Sequence, residues 1–378
     1  MNAVGIDVSK GKSTVAVLRP YGEVVVSPFD VAHTGSDLRA LADLIKKLPG
    51  ETKVVMEATG NYFESIARYL HEQNIFVSVV NPVLISDFGG NTLRKPKTDK
   101  KDSVKIASYA LTYWLDLKEY TPQEDLRKSL KLLNRQYQQS IKLKTMMNNN
   151  LISLLDLTFP GINKLFTSPS RESDGHEKWV DFVLEFSHCD MISKLTIKAF
   201  AKDCVSSVSS DKAIVFSVVQ AAKMLISATE NCHAIQSEMN RVASKLPEYD
   251  TVMNMYGVGK AVGPQLMAEI GDPRRFHSRK AITAYFGYDS ENNDSGQKTT
   301  RSNPMTKKGS GALRRTLFIL MQVLLQTKPQ DNPVYDFLIK KKSEGKHYYS
   351  YINAAANKFL RIYYARVKEV LNVSEQMT

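Results

Sequence analysis

Residues 97–107 read "KTDKKDSVKIA" and set Asp99 and Asp102 three positions apart inside a cationic run. From Arg94 to Lys105 six cations (Arg94, Lys95, Lys97, Lys100, Lys101 and Lys105) surround those two acids. Two chemistries suit such a pair at the start of a helical pattern. An Asp at a helix N-cap accepts an orphan backbone N–H, and an acid in the first turn suits the helix dipole. Alternatively, both carboxylates are hard oxygen donors for a divalent cation, which requires further acids from elsewhere in the chain. Asp7, closing the run "VGID", and Glu57, closing "KVVME", are candidates. Four gathered carboxylates repel one another unless a cation neutralises them. Phosphoryl transfer on a nucleic-acid strand uses two such cations about 4 Å apart, one at the attacking and one at the leaving oxygen. The pattern predicts two Mg2+ ions on Asp7, Glu57, Asp99 and Asp102.

Those acids need elements to bring them together. Residues 3–29 alternate β-rich runs ("VGID", "STVAVL", "EVVVSPF") with turn residues and predict a three-strand meander. Ser36 is the expected cap of a helix over "DLRALADLIKKL"; "KVVMEA" reads as a buried strand, "NYFESIARYLHEQ" as a helix, "IFVSVV" as a strand and 102–113 as a last helix. This βββαβαβα order is the layout of the ribonuclease H fold. There the first strand is central, the fourth lies beside it and the last helix packs across both, so the four acids are expected to converge.

Beyond residue 120 the pattern turns helical. Thr121-Pro122-Gln123-Glu124 reads as a capping box ahead of a long helix. Leu126, Leu130, Leu133, Tyr137, Met147, Leu151 and Leu154 fall on one heptad seam, and Val218, Ala221, Leu225, Ala228, Cys232, Ile235, Met239, Val242 and Leu246 on a second. The two predict a coiled-coil spacer over 119–250, interrupted by a mixed insert at 160–212 that suggests no function. Trp114 and Trp179 lie outside the motifs and read as packing residues.

The last region opens with "MYGVGKAVGPQLMAEIGD", in which Gly257, Gly259 and Lys260 precede a helical pattern. It reads either as a tight turn or as a helix-hairpin-helix element that presents backbone N–H groups to a phosphate. Residues 295–315, "SGQKTTRSNPMTKKGSGALRR", carry Lys298, Arg301, Lys307, Lys308, Arg314 and Arg315 and no acid. With flanking glycines and hydroxyls, this strip suits a nucleic-acid contact.

The 378 residues carry 51 Lys+Arg against 39 Asp+Glu, a net charge of +12, so a polyanionic partner is expected. Cys189, Cys204 and Cys232 form no C-x-x-C pair and the seven histidines no H-E-x-x-H spacing, which argues against a disulfide framework or a zinc site. The amino terminus shows no signal-peptide pattern, and no uninterrupted apolar run approaches the roughly 18 residues of a membrane span. A cytoplasmic, nucleoid-associated protein with no membrane partner is the expectation.

Taken in order, "GIDVSK", "VVMEATGNY", "NP" at 81–82, "KTDKKDSVKIA", "GVGKAVGPQLMAEIGD", "RFHSRKAITAYFG", "SG" at 295–296 and "KKGSGALRR" resemble, nearly end to end, the "IS one-ten" insertion-sequence transposases, the DEDD-type recombinases. The resemblance implies a RuvC-like catalytic domain, set at 1–118, whose D, E, D and D are matched by Asp7, Glu57, Asp99 and Asp102. A coiled-coil region at 119–250 would join it to a transposase domain at 251–378. It also implies a serine nucleophile, matched by Ser295, that forms a phosphoserine link to DNA. The implied partners are donor and target DNA and a structured noncoding bridge RNA, in a homo-oligomer that goes from dimer to tetramer. The chain departs from the pattern at "YDSENND", where the family has Leu-x-Pro, and at Lys307-Lys308-Gly309-Ser310, where it has K-x-G-N. Ser302 and Ser310 therefore stand as alternatives to Ser295. Two rival functions share these features: a RuvC-like nuclease that uses water and needs no serine, and a non-catalytic nucleic-acid-binding coiled-coil protein.

Overall fold

The computed structural model describes residues 1–58, 60, 62–88, 98–121, 125–193, 206–287, 305 and 309–376. The chain divides into two compact units, Met1–Gln123 and Glu124–Thr378.

In the first unit, β1 (Asn2–Val8) is apolar and buried on both faces, as a central strand must be. It pairs antiparallel with β2 (Lys12–Leu18), which pairs antiparallel with β3 (Val24–Ala32). On its other side β1 runs parallel to β4 (Thr52–Glu57), and β4 parallel to β5 (Val77–Val80), giving the order β3-β2-β1-β4-β5. Helices α1 (Gly35–Lys46) and α2 (Phe63–Glu72) cover one face, where Val4, Ile6 and Met56 meet Leu41, Ile45, Ile66 and Leu70. The short α3 (Pro82–Phe88) and α4 (Asp99–Thr112) cover the other, where Ala3, Leu18, Val55 and Val80 meet Ile106, Ala107 and Ala110. Trp114 closes this second core. The mixed five-stranded sheet with helices on its faces is ribonuclease H-like. Three local expectations are corrected. The helix α3 adds an element to the expected order. The cap of α1 is Thr34 rather than Ser36, its hydroxyl accepting from the Asp37 N–H. The last helix starts at Asp99 rather than at residue 102.

The second unit is helical. Its long α5 (Asp125–Thr158) turns through α6 (Ile162–Leu165), α7 (Lys178–Glu185) and α8 (Cys189–Ser193) into α9 (Lys212–Ala243). The two long helices lie antiparallel in one hairpin. Leu151 and Leu155 share a core with Val218, Ala221 and Leu225 at one end, and Leu130 and Tyr137 share one with Cys232, Met239 and Val242 at the other. Trp179, Val180 and Val183 fill the hairpin tip, so the insert is a packed cap with Trp179 in its core. By length and composition α9 is apolar enough to cross a membrane, and this corrects the expectation from uninterrupted runs, which its scattered charges break. Its apolar stripe is used against α5 and α7. The box at Thr121–Glu124 lies largely outside the described residues.

At the hairpin base stand α10 (Tyr249–Met253), α11 (Val262–Ile270), α12 (Arg279–Tyr285), α13 (Gly311–Thr327), α14 (Pro333–Ser343) and α15 (Tyr348–Gln376). They share their core with the hairpin base: Leu130 and Met239 join Leu266, Leu317, Leu320 and Tyr363. Beside that core Arg127 is clamped by Glu248, Nη2 donating to Oε2 at 3.0 Å and Nη1 to Oε1, with the two side chains 4% and 0% exposed. Between α10 and α11, Gly257 adopts φ +78 and a Cβ there would come within 2.9 Å of Leu320 Cδ1. The two helices are thus joined by a glycine turn pressed against α13.

Candidate active site

Strand parity puts Ala3, Gly5 and Asp7 on the face that carries α4. The pairing Gly5↔Val55 and Ile6↔Met56, carried one step on, sets Asp7 beside Glu57, with the strands about 4.8 Å apart. On the other side Asp7 pairs with Thr14, and Thr14 with Asp30. One row across the sheet therefore reads Asp30, Thr14, Asp7, Glu57, Val80.

Gly5 brings α4 onto this row. A Cβ on Gly5 would stand 2.2 Å from Ser103 O and 2.4 Å from Ala107 N, so helix backbone rests directly on strand backbone. The far end of α4 is fixed by Lys53, whose Nζ donates to Trp114 O at 2.9 Å at the row of Ala3. From the Gly5–Ser103 contact, two strand residues advance about 6.6 Å to Asp7, and one helical turn advances about 6 Å back to Asp99. Asp99 and Asp102, in the first turn of α4, are thereby level with Asp7 and Glu57.

The capping question is settled by Thr98, whose hydroxyl accepts from the Lys101 N–H. Asp99 is the first helical residue and exposed, while Asp102 is half-buried. The reading of Asp99 as the cap itself is corrected, and its carboxylate has another use. Four carboxylates at one end of a sheet fit hard divalent cations as a donor set.

Asp30 is a fifth carboxylate that sequence reasoning missed. Thr14 Oγ1 donates to its Oδ1 at 2.8 Å and Lys12 Nζ to its Oδ2 at 2.9 Å. The Lys12 hydrogen bond, then that of Thr14, holds the Asp30 carboxyl below the usual carboxylate range, with Lys100 adding a smaller effect. In turn the Lys12 ammonium is held above the usual lysine range, first by Asp30 and in smaller part by Asp99.

Among the described residues, one trio brings its ligand atoms within 4.8 Å of one another: His188, Cys189 and Asp190. It reads as core rather than as a metal site. His188 is fully buried, its Nε2 lies 3.1 Å from Val208 O and its Nδ1 accepts the Asp190 N–H at 3.2 Å, so both ring nitrogens are engaged.

The remaining expected contacts divide. Lys100 and Lys101 are exposed in the first turn of α4. Lys260 is exposed after the glycine turn of Gly257 and Gly259, and borders a groove of about 870 Å³ along α5 and α9 that also carries Lys144, Arg171 and Arg241. Arg314 Nη1 donates to Phe286 O at 3.1 Å and Gly309 O at 3.2 Å; exposed Arg315 reaches Gln138 Oε1 at 3.5 Å. Ser310 caps α13, accepting from the Leu313 N–H while donating to Glu269 Oε2 at 2.5 Å. Arg94, Lys95, Lys97, Ser295, Lys298, Arg301, Ser302, Lys307 and Lys308 lie outside the described residues.

Comparison with known proteins gives these positions a context. A transposase family model of the DEDD type matches residues 4–160, and a model described as "Transposase IS116/IS110/IS902 family" matches 249–336. The pilin gene-inverting proteins of Moraxella bovis and Moraxella lacunata are each 22% identical over 316 residues, 84% of this chain and 80% of theirs. Two solved structures of Thermus thermophilus RuvC, one with a Holliday junction substrate, align over 32% of this chain and 100% and 99% of theirs, at 12% and 11% identity. Both have a TM-score of 0.25, which carries no argument. With the two halves of one transposase family matched in order along it, this chain belongs to the IS110 family of transposases, enzymes that act on DNA.

Proposed function

We propose that the chain is an RNA-guided DNA recombinase of an insertion sequence, which cuts and exchanges strands between donor and target through a covalent phosphoserine intermediate. The observation that carries this reading is the row of Asp7 and Glu57 beneath the first turn of α4, with Asp99 and Asp102 at the same level. Asp7, Glu57, Asp99 and Asp102 would hold two Mg2+ ions, whose chemistry is to polarise the scissile phosphate and lower the charge that develops on the attacking and leaving oxygens. The protein's own part is to hold four acids at fixed spacing and to supply the nucleophile. Ser295 is that residue: its Oγ bonds to phosphorus as the scissile P–O bond breaks, and the proton it loses is balanced by one gained at the departing strand end. A hydroxyl needs such activation to attack at neutral pH. The covalent link retains the phosphodiester bond energy for rejoining to a second duplex. Pilin gene inversion, named for the two relatives, is an exchange of this type.

Nucleic acid is held by Lys100 and Lys101, by the strip of Lys298, Arg301, Lys307, Lys308, Arg314 and Arg315, and by the glycine turn at Gly257, Gly259 and Lys260. Arg94, Lys95 and Lys97 complete the set. A structured bridge RNA is the guide, because no described element presents a recognition helix for reading a DNA site alone. The two long helices act as a spacer within a dimer that assembles to a tetramer.

The deciding experiment incubates full-length protein, its copurified RNA, labelled DNA and Mg2+, then denatures and resolves the products. DNA should remain attached to wild-type protein and be absent with Ser295→Ala. An adduct that persists in Ser295→Ala moves the nucleophile to Ser302 or Ser310. Cleavage with no adduct in any protein would falsify the serine step and favour attack by water.

A further inference from the structure

We infer that Lys12 binds a backbone phosphate of the DNA at the edge of the carboxylate row, and that Asp30 and Thr14 are the positioning residues that aim it. The inference rests on the reading of Asp7, Glu57, Asp99 and Asp102 as a metal-dependent DNA-cutting site and adds a contact to it.

Lys12 is the first residue of β2 and shares a face with Thr14, the face that carries α4. Its Nζ stands 2.9 Å from Asp30 Oδ2, and the other oxygen of Asp30 accepts from buried Thr14 at 2.8 Å. Each oxygen of Asp30 thus has its own donor on β2.

Two explanations of this arrangement fail on magnitude. Asp30 could be a fifth metal ligand, but it is two strands from Asp7, about 10 Å across the sheet. The two cations of a phosphoryl-transfer site stand about 4 Å apart. Asp30 therefore cannot share that pair with Asp7 and Glu57. The Lys12–Asp30 pair could instead serve stability, but the two side chains are 52% and 49% exposed. An ion pair so exposed contributes only about 0–1 kcal/mol. What the pair does do is fix where an ammonium stands.

An ammonium has three N–H donors, and a single oxygen of Asp30 occupies one. On the other side lies the first turn of α4, near enough for Asp99 to influence Lys12 and for Lys100 to influence Asp30. A DNA strand whose scissile phosphate meets the carboxylate row carries its neighbouring phosphates past the end of that row. A fixed cation about 10 Å along the row suits one of those neighbours and offsets the repulsion between the strand and the acids.

The test uses the full chain with a labelled duplex over a range of salt, and with Mn2+ alone followed by calorimetry. Lys12→Gln should weaken DNA binding and lower the slope of log affinity against log salt by about 0.9, the value for one phosphate contact. Its Mn2+ affinity and thermal midpoint should match wild type. Lys12→Arg should restore the slope. Asp30→Asn should keep the slope, because the charge remains, while raising KM for DNA cleavage more than it changes kcat. An unchanged slope in Lys12→Gln overturns the inference. So does a loss of Mn2+ affinity in Asp30→Asn equal to that in Glu57→Gln, which would make Asp30 a ligand. A wild-type protein that binds no Mn2+ overturns the underlying site as well, whereas failure at Lys12 alone leaves that site standing.

Discussion

The two members of the D-x-x-D pair are less alike than their spacing suggests. Thr98 performs the capping for which Asp99 was a candidate, so both acids sit in the first turn, one exposed and one half-buried. Asp7 and Glu57 are held more firmly, by adjacent strands whose neighbours Ile6 and Met56 are fully buried. Replacing Asp7 by Asn or Glu57 by Gln should lower DNA cleavage on the order of 10²-fold or more, the scale of removing one preorganised electrostatic group. The same variants should melt at or above the wild-type midpoint in metal-free buffer, since each removes one of several crowded like charges. A gel-based cleavage assay and thermal unfolding of the same samples check both outcomes, and a lowered midpoint would assign these residues to folding rather than to chemistry. Asp30 shows why the row was only partly legible in sequence. The β2–β3 register shifts between Val15 and Val17 and again before Leu18, so counting along the chain does not reveal that Asp30 faces Thr14.

At the scale of elements, the site depends on how α4 meets β1. Thr98→Ala removes the cap of α4 and should cost about 1 kcal/mol, read by chemical denaturation of the first transition. Gly5→Ala places a methyl where Ser103 O and Ala107 N already stand and should cost about 1–3 kcal/mol, the range for overpacking. It should also impair cleavage beyond what Thr98→Ala does, because it lifts the turn that carries Asp99 and Asp102; equal activity in the two variants would contradict that. Most of these elements could be read directly. β1 and β4 are continuous apolar runs, as strands covered on both faces must be, and α5 and α9 show their seams because each buries one stripe. "PVLISDF" escaped notice because seven residues are too few to show a helical period. The insert's role as a packed tip escaped because Trp179 and Val183 find their partners on α9, far away in sequence. Which helix the seams faced became visible only when Leu151 met Val218 and Tyr137 met Cys232.

Considered as a whole molecule, the helical unit depends on one buried ion pair at the base of its hairpin. Arg127→Met should destabilise that unit by about 3–5 kcal/mol, because it leaves Glu248 charged and buried without its partner. Arg127→Met combined with Glu248→Leu should recover much of the loss, as urea unfolding of the three proteins can show; a double variant as unstable as the single one would place the effect elsewhere. A different consequence follows from Gly5. Where side chains separate two elements, each core substitution changes their distance, and a site built on both elements feels it. Between β1 and α4 nothing but backbone intervenes, and backbone atoms are the same in every sequence. Ile6, Met56 and Leu41 on the opposite face can therefore vary over generations and alter how long the unit survives heating, while the gap between Asp7 and the start of α4 keeps its width. Durability and geometry can evolve separately in this unit, so relatives with little sequence in common can retain a superimposable set of acids.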